Sequence, residues 1–435
     1  MGDGSGGVCW FSAPGFMVVG IDDSAHDVVV EVETTDRRAA CRSCGVFAKV
    51  KDRRTVTLRD APAGGRPVSI RWRKRVFVCR EPECSVRTWT ERCDDFVLPR
   101  RVLTERAARW ATDRIAAVEA TPASLGREFG VTWSTVWAGV ERHSQQRVDD
   151  RGRVGDVTQI GFDETVMSPA KRHRRRRFIT SAVDLTTGRV IDVFDGRDAA
   201  DLDRWLLAQP ADWVGGIRVV AVDPHPGYRS AIVRSELLAE VTVVVDAFHI
   251  VRLANQAVTK CRQRVQQETL EHRGWKGDPL YDIRRLLLLG AERVDERGWE
   301  RIHTALADGD PDGEVRDTWV AKELVRDVYL ATSLDDATAA LDAAVAWCTD
   351  PDATIEQRTL AKTLVRWRSE ILARHTTGAS NGRVEAANLT IKHVKRSGRG
   401  FRNLGNYRLR ILLAAGCPRQ THRVTRHRAR PSSVA

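Results

Sequence analysis

Three acids and two pairs of cysteines carry the chemistry open to this chain of 435 residues. Asp163 lies inside a strand-like run, Thr158-Gln-Ile-Gly-Phe-Asp-Glu-Thr-Val166, and Asp223 ends another, Ile217-Arg-Val-Val-Ala-Val-Asp223. In open α/β sheets, strand ends of this kind line the ligand crevice. Two carboxylates converging there repel each other unless a cation lies between them. Mg²⁺ or Mn²⁺ suits such hard oxygen donors, and phosphate oxygens complete the shell. One Asp alone would be an ordinary strand-end residue. The third acid tips the balance. Ser380-Asn-Gly-Arg-Val-Glu-Ala-Ala-Asn-Leu-Thr-Ile-Lys392 opens a helix capped by Ser380 or Asn381. Glu385 then sits in its early turns, with Asn388 at i+3 and Lys392 at i+7 on the same face. That stripe offers a carboxylate to a metal, and an amide and a cation to a DNA strand. The helix continues into a loop whose Lys395, Arg396, Arg399 and Arg402 can hold phosphates.

The nine cysteines are spread unevenly. Cys41-Arg-Ser-Cys44-Gly is a CxxC knuckle, and Cys79-Arg-Glu-Pro-Glu-Cys84 supplies a looser second pair. Four thiolates at such spacing suit one closed tetrahedral Zn²⁺, and Gly45 permits the turn beneath the first pair. Cys93 is the alternative to Cys84 as fourth ligand. Between the knuckles, Val68–Val78 alternates apolar and basic residues and reads as a strand with one cationic face. Knuckle, strand pair, knuckle is the layout of a zinc ribbon. Cys9, Cys261, Cys348 and Cys417 stand apart and read as packing residues.

The elements that must position these groups follow in order. Residues 1–36 hold seven acids and no Lys or Arg, so the rest of the chain is more basic still than the overall +12. An excess of that kind favours a polyanionic partner. After an acidic segment (1–36) and the ribbon (37–100), residues 101–148 read as a helix-turn-helix. Thr121-Pro122 caps a short helix that Gly130 ends, and Thr132 caps the next. Its second helix would enter a major groove, with Trp133, Ser134 and Arg142 as contacts. From 155 to 252, three antiparallel strands precede alternating helix and strand, an α/β layer with a mixed sheet. That order also describes the ribonuclease-H-like fold. Residues 253–372 are helical in pattern, with Trp275, Trp299, Trp319, Trp347 and Trp367 as core; residues 373–415 return to the sheet. A basic turn at Lys171–Arg177, with Arg174, Arg175 and Arg176 at its centre, and a basic tail (416–435) suit DNA backbone. No apolar run nears the ~20 residues that span a bilayer, and no secretory leader is evident. A protein of the cytoplasm, associated with the nucleoid, is expected.

The blocks Gly161-Phe-Asp-Glu164, Val222-Asp-Pro-His-Pro-Gly-Tyr228, Val245-Asp-Ala-Phe-His-Ile-Val-Arg252 and Ser380-Asn-Gly-Arg-Val-Glu385, with Ile391–Arg410 behind them, resemble bacterial insertion-sequence DDE transposases of the ISL-three family. The resemblance implies a multidomain α+β protein: zinc ribbon, helix-turn-helix, and a ribonuclease-H-like core interrupted by an all-helical insertion. It implies Asp163, Asp223 and Glu385 as the catalytic metal triad, with Mg²⁺ (or Mn²⁺) and Zn²⁺ as cofactors. Asp246 and His249 match a D-x-x-H signature of such families, read here as structural. The implied partners are double-stranded DNA, both terminal inverted repeats and target, and further copies of the chain as a dimer or larger. The implied reaction cleaves the element ends and joins the freed 3′-hydroxyls to target DNA by two-metal phosphoryl transfer. A DNA-binding regulator that no longer cuts, or a nuclease of the same fold, are the competing readings.

Overall fold

The computed structural model describes residues 11–170 and 175–418. They form two compact units, one spanning Val154–Ile391 and the other the residues on either side of it. The division falls inside the helix Gly382–Ser397.

The flanking unit opens with a five-stranded sheet: β1 (Phe16–Asp23), β2 (Val28–Thr34), β3 (Lys49–Ala63), β4 (Arg66–Val78) and the short β5 (Thr88–Thr90), in the order β1-β2-β4-β3 with β5 on β4. β3 and β4 form a hairpin, whereas β2 runs parallel to β4. Within the expected acidic segment, Phe16–Asp23 and Val28–Thr34 are therefore strands of the ribbon's own sheet. This placement corrects the cationic face expected of β4. Glu31 lies 3.5 Å from Arg71, and Glu33 lies 3.4 Å from Arg73 and 3.7 Å from Arg53. Arg75 is buried between Glu33 and Glu91. Trp72, Ile70 and Val30 close the core beneath.

Three helices follow, α1 (Glu105–Ala116), α2 (Pro122–Phe129) and α3 (Trp133–Asp149). Each cap read from the sequence is present: Thr121 accepts from Ser124 N–H, Gly130 takes φ +65°, and Thr132 accepts from Thr135 N–H. Gly126 is required by the turn, since a Cβ there would lie 2.9 Å from the Val131 carbonyl. The helix Leu404–Ile411 and the π-turn Leu412–Gly416 belong to this unit, and Leu413 joins the core made by Leu125, Phe129, Val136 and Val140. Residues from Lys392 onward thus leave the unit to which 373–415 was expected to return.

The second unit carries the mixed sheet β10-β9-β6-β7-β8, built from β6 (Gln159–Ser168), β7 (Arg177–Asp184), β8 (Val190–Asp195), β9 (Val219–Val222) and β10 (Thr242–Val245). β6, β7 and β8 form the antiparallel meander; β9 and β10 add in parallel beside β6. Ile160 and Phe162 point into a core with Leu202, Trp205 and Tyr228. Helices from Ala247–Leu270 through Arg368–Thr377 make the insertion, and both expected boundaries, 253 and 372, fall inside a helix. Trp367 is buried, and Trp299 and Trp319 pack against a second cluster. Trp275 departs from the expected core role: it is 69% exposed and stacks on His272.

Candidate active site

Strand register brings the acids together. β6 pairs with β9 from Gln159↔Val219 to Phe162↔Val222, and β10 pairs with β9 from Thr242↔Val219 to Val245↔Val222. One residue further, Asp163 lies midway along β6 while Asp223 and Asp246 follow the carboxyl ends of the adjacent parallel strands β9 and β10, and the Asp246 N–H donates to the Val222 carbonyl at 3.0 Å. Oxygens of Asp163, Glu164 and Asp223 come within 4.8 Å of one another, and so do ligand atoms of Asp223, Asp246 and His249. Glu164, the missed member, follows Asp163 in the quoted motif; strand alternation sends the two to opposite faces, and only its long side chain brings its carboxylate back.

His249 bridges the second group. Its Nε2 lies 3.0 Å from Asp223 Oδ2 and its Nδ1 lies 2.6 Å from Asp246 Oδ2. Asp246 also caps the helix Ala247–Leu270, accepting from His249 N–H at 3.3 Å. Burial works against a charged imidazole here, but the hydrogen bonds to Asp223 and Asp246 outweigh it and raise His249 to about 9. Asp163 moves the other way from an ordinary carboxylate: burial, then the charge of Asp223, push it up to about 7. A site that makes an acid this reluctant to ionise is short of positive charge, which is what a divalent cation supplies.

The helix Gly382–Ser397 lies on the same strands. Asn388 donates its amide to Asp163 Oδ2, while its carbonyl accepts from Thr165 Oγ1 at 3.4 Å and Ser181 Oγ at 3.3 Å. Two turns earlier, Asn381 Nδ2 reaches Asp223 Oδ1 at 3.5 Å. Glu385 sits between them, about one turn from each, with its side chain exposed. It is not among the oxygens gathered within 4.8 Å. Asn388, expected on DNA, is only 3% exposed and spends both ends of its amide inside the site.

The cysteine site is also assembled. Sγ atoms of Cys41, Cys44, Cys79 and Cys84 lie within 4.8 Å of one another, with Cys41–Cys84 at 3.7 Å and Cys44–Cys79 at 3.4 Å. Four sulfurs bonded tetrahedrally to Zn²⁺ at ~2.3 Å stand about 3.8 Å apart, so the quartet fits that ion. Backbone N–H groups of Cys44 and Ser43 bring the Cys41 thiol down to about 7. Cys93 packs against the sheet core instead, leaving Cys84 as the fourth member.

The residues expected on DNA divide. Trp133 is 61% exposed at the start of α3, and Ser134 is exposed with its hydroxyl 2.9 Å from Thr132 Oγ1. Arg142 pairs with Glu105 of α1 and touches His143 at 3.0 Å. Arg175 and Arg176 are exposed before β7; Arg174 and the tail from 419 lie outside the described residues. Lys392, Arg396, Arg399 and Arg402 are exposed, whereas Lys395 is half-buried, and burial lowers its pKa.

Comparison with known proteins adds to this geometry. A profile of the ISL3 DDE family, described as transposase, matches residues 160–411. A second, described as the zinc-finger of the transposases of IS204, IS1001, IS1096 and IS1165, matches residues 37–89. The chain is similar to a transposase for insertion sequence element IS1557 of Mycobacterium tuberculosis, 26% identical over 313 residues, 66% of either protein. The match thus spans just under two thirds of that relative's length. A transposase for insertion sequence element IS1001 of Bordetella parapertussis is 23% identical over 403 residues, 90% of this chain and 93% of that one.

Proposed function

The chain belongs to the ISL3 family of DDE transposases, and we propose that it binds the terminal inverted repeats of an insertion sequence, cleaves its ends and joins the 3′-hydroxyls to target DNA. The observation that carries this reading is the meeting of Asp163 with Asp223 under a helix whose Asn388 and Asn381 hydrogen-bond the two acids. Asp163, Asp223 and Glu385 would hold Mg²⁺ or Mn²⁺. When bound, the ions would activate the attacking oxygen and stabilise the leaving 3′-oxygen. Asn388 and Asn381 orient the two aspartates, and His249 holds Asp223 against Asp246. The quartet Cys41, Cys44, Cys79 and Cys84 would hold structural Zn²⁺ and so fix the ribbon. Trp133 and Ser134 of α3, with Arg175, Arg176, Lys392, Arg396, Arg399 and Arg402, supply exposed contacts for duplex DNA. Two ends must be joined, so at least two copies of the chain work together, on DNA of the bacterial nucleoid.

The test incubates the full chain with linear DNA carrying the ends of its own insertion sequence, a supercoiled plasmid target and Mg²⁺. Nicks at the element ends and joined products are expected. Asp163→Ala, Asp223→Ala and Glu385→Gln should each lower both on the order of 10³-fold, while gel shifts on the end DNA persist. Binding without any cleavage by the wild-type chain would leave only the regulator reading. Cleavage that ignores the end sequence would point to the nuclease.

A further inference from the structure

The flanking unit holds a cavity of about 560 Å³ between the start of α3 and the loop that follows the helix Gly382–Ser397. Trp133, Trp137, Arg127, Arg399, Arg402 and Arg410 are among the lining residues, and no carboxylate is. Arg410 is the unusual member. It is 4% exposed, and neither its Nε nor its Nη2 has a hydrogen-bond partner. The ring of Phe401 lies 5.5 Å from its guanidinium carbon, and Phe401 stacks in turn on Tyr407 at 4.6 Å. A buried guanidinium with two nitrogens lacking acceptors is costly, and an anion that reaches it relieves that cost. Burial accordingly lowers the pKa of Arg410.

An inorganic anion would satisfy the arginines and leave the tryptophans unused. A flat apolar ligand would do the reverse. One chemical class supplies both a negative charge and a stacking face, and the volume lies within the range that admits a molecule of that size. We propose that this cavity receives one nucleotide unstacked from the bound DNA, its base against Trp133 and its phosphate on Arg410. Loop geometry assists: Arg399 takes φ +54° ahead of Gly400 at φ +89°, turning the chain sharply around the cavity mouth. The proposal rests on the DNA-binding reading above and deepens it by adding a place where the duplex is opened. Unpaired or distorted positions would be favoured, because unstacking them costs least.

The experiment titrates the full chain with two duplexes of about 30 base pairs, identical except that one carries a single bulged 2-aminopurine. Tighter binding of the bulged duplex by about tenfold is expected, the range of one base–aromatic stack, together with quenching of 2-aminopurine fluorescence on binding. Trp133→Ala should collapse the ratio of the two affinities to near one and abolish the quenching. Arg410→Gln, checked by a wild-type melting profile, should lower the ratio as well; should it unfold, Arg399→Ala replaces it. Equal affinity for both duplexes, or a Trp133→Ala loss that is the same on both, overturns the pocket while leaving DNA binding intact. Binding to neither duplex overturns the DNA reading itself, and the pocket with it.

Discussion

Asp163 pays for function with stability. Its carboxyl is raised to about 7 and His249 to about 9, and both shifts have the same consequence. Folding favours the protonated form of each. The stability cost of Asp163 is absent below the ordinary carboxylate range and complete above about 7. The contribution of His249 is present below its ordinary value and lost as pH rises through about 9. The metal-free chain should therefore melt at steadily lower temperature from pH 6 to pH 9, and Mg²⁺ should reverse the loss at the alkaline end. Asp163→Asn should stabilise the metal-free protein at pH 8 by on the order of 1–3 kcal/mol while abolishing cleavage. A calorimetric melt that is flat with pH, or a destabilised Asn variant, would contradict this account. Asn388→Ala frees Asp163 and removes the side-chain acceptor of Thr165 and one of two acceptors of Ser181. Loss of such a supporting partner costs about 10- to 100-fold in metal affinity or activity. The expected signature is a higher Mg²⁺ requirement for cleavage with end binding unchanged. At this scale the sequence showed the acids but misjudged the amide. Asn388 and Glu385 share a helical stripe, and helical periodicity alone does not tell which edge of a stripe meets a sheet. The ion pair of Arg142 did not read for a related reason, since Glu105, its partner, lies on another helix.

Elements read well wherever their signals were local. The caps at Thr121 and Thr132 and the stop at Gly130 are set by the backbone groups they satisfy, so three residues of sequence were enough. The meander β6-β7-β8 follows from short turns between alternating segments. The parallel neighbour of β4 did not read, because β2 reaches it only after a hairpin intervenes. With that pairing hidden, β4 read as a strand with one cationic face although Glu31 and Glu33 stand across from its arginines. One local signal with a long-range cause is Gly161 on β6. A Cβ there would clash with Val384 Cγ2 and lie 2.8 Å from Leu185 Cδ2. The missing side chain is what lets the helix carrying Glu385 settle onto the strand carrying Asp163. Gly161→Ala should lift that helix by a few tenths of an ångström or more, at a cost of about 1–3 kcal/mol from overpacking. Cleavage should fall far more than end binding, because it depends on where Glu385 stands. Wild-type cleavage by Gly161→Ala would show that the close approach is not needed.

At the scale of the whole molecule, the two proposed metals divide between the two units. Asp163, Asp223 and Glu385 lie within Val154–Ile391, whereas the cysteine quartet lies in the flanking unit. Zn²⁺ in a Cys₄ site contributes folding energy outright, roughly 10–16 kcal/mol in small zinc domains, and the sheet it would brace has a core of limited size. Mg²⁺, were it bound among the crowded carboxylates, would instead relieve repulsion in a unit with cores of its own. Thermal unfolding should therefore show two separable transitions. Removing zinc with 1,10-phenanthroline, or by Cys84→Ser, should lower one transition and abolish end binding while leaving the other in place. Cys93→Ser should move neither. Mg²⁺ and Asp163→Asn should move only the second. If both transitions shifted together under either treatment, the units would be coupled in folding and the assignment of one metal to each would fail.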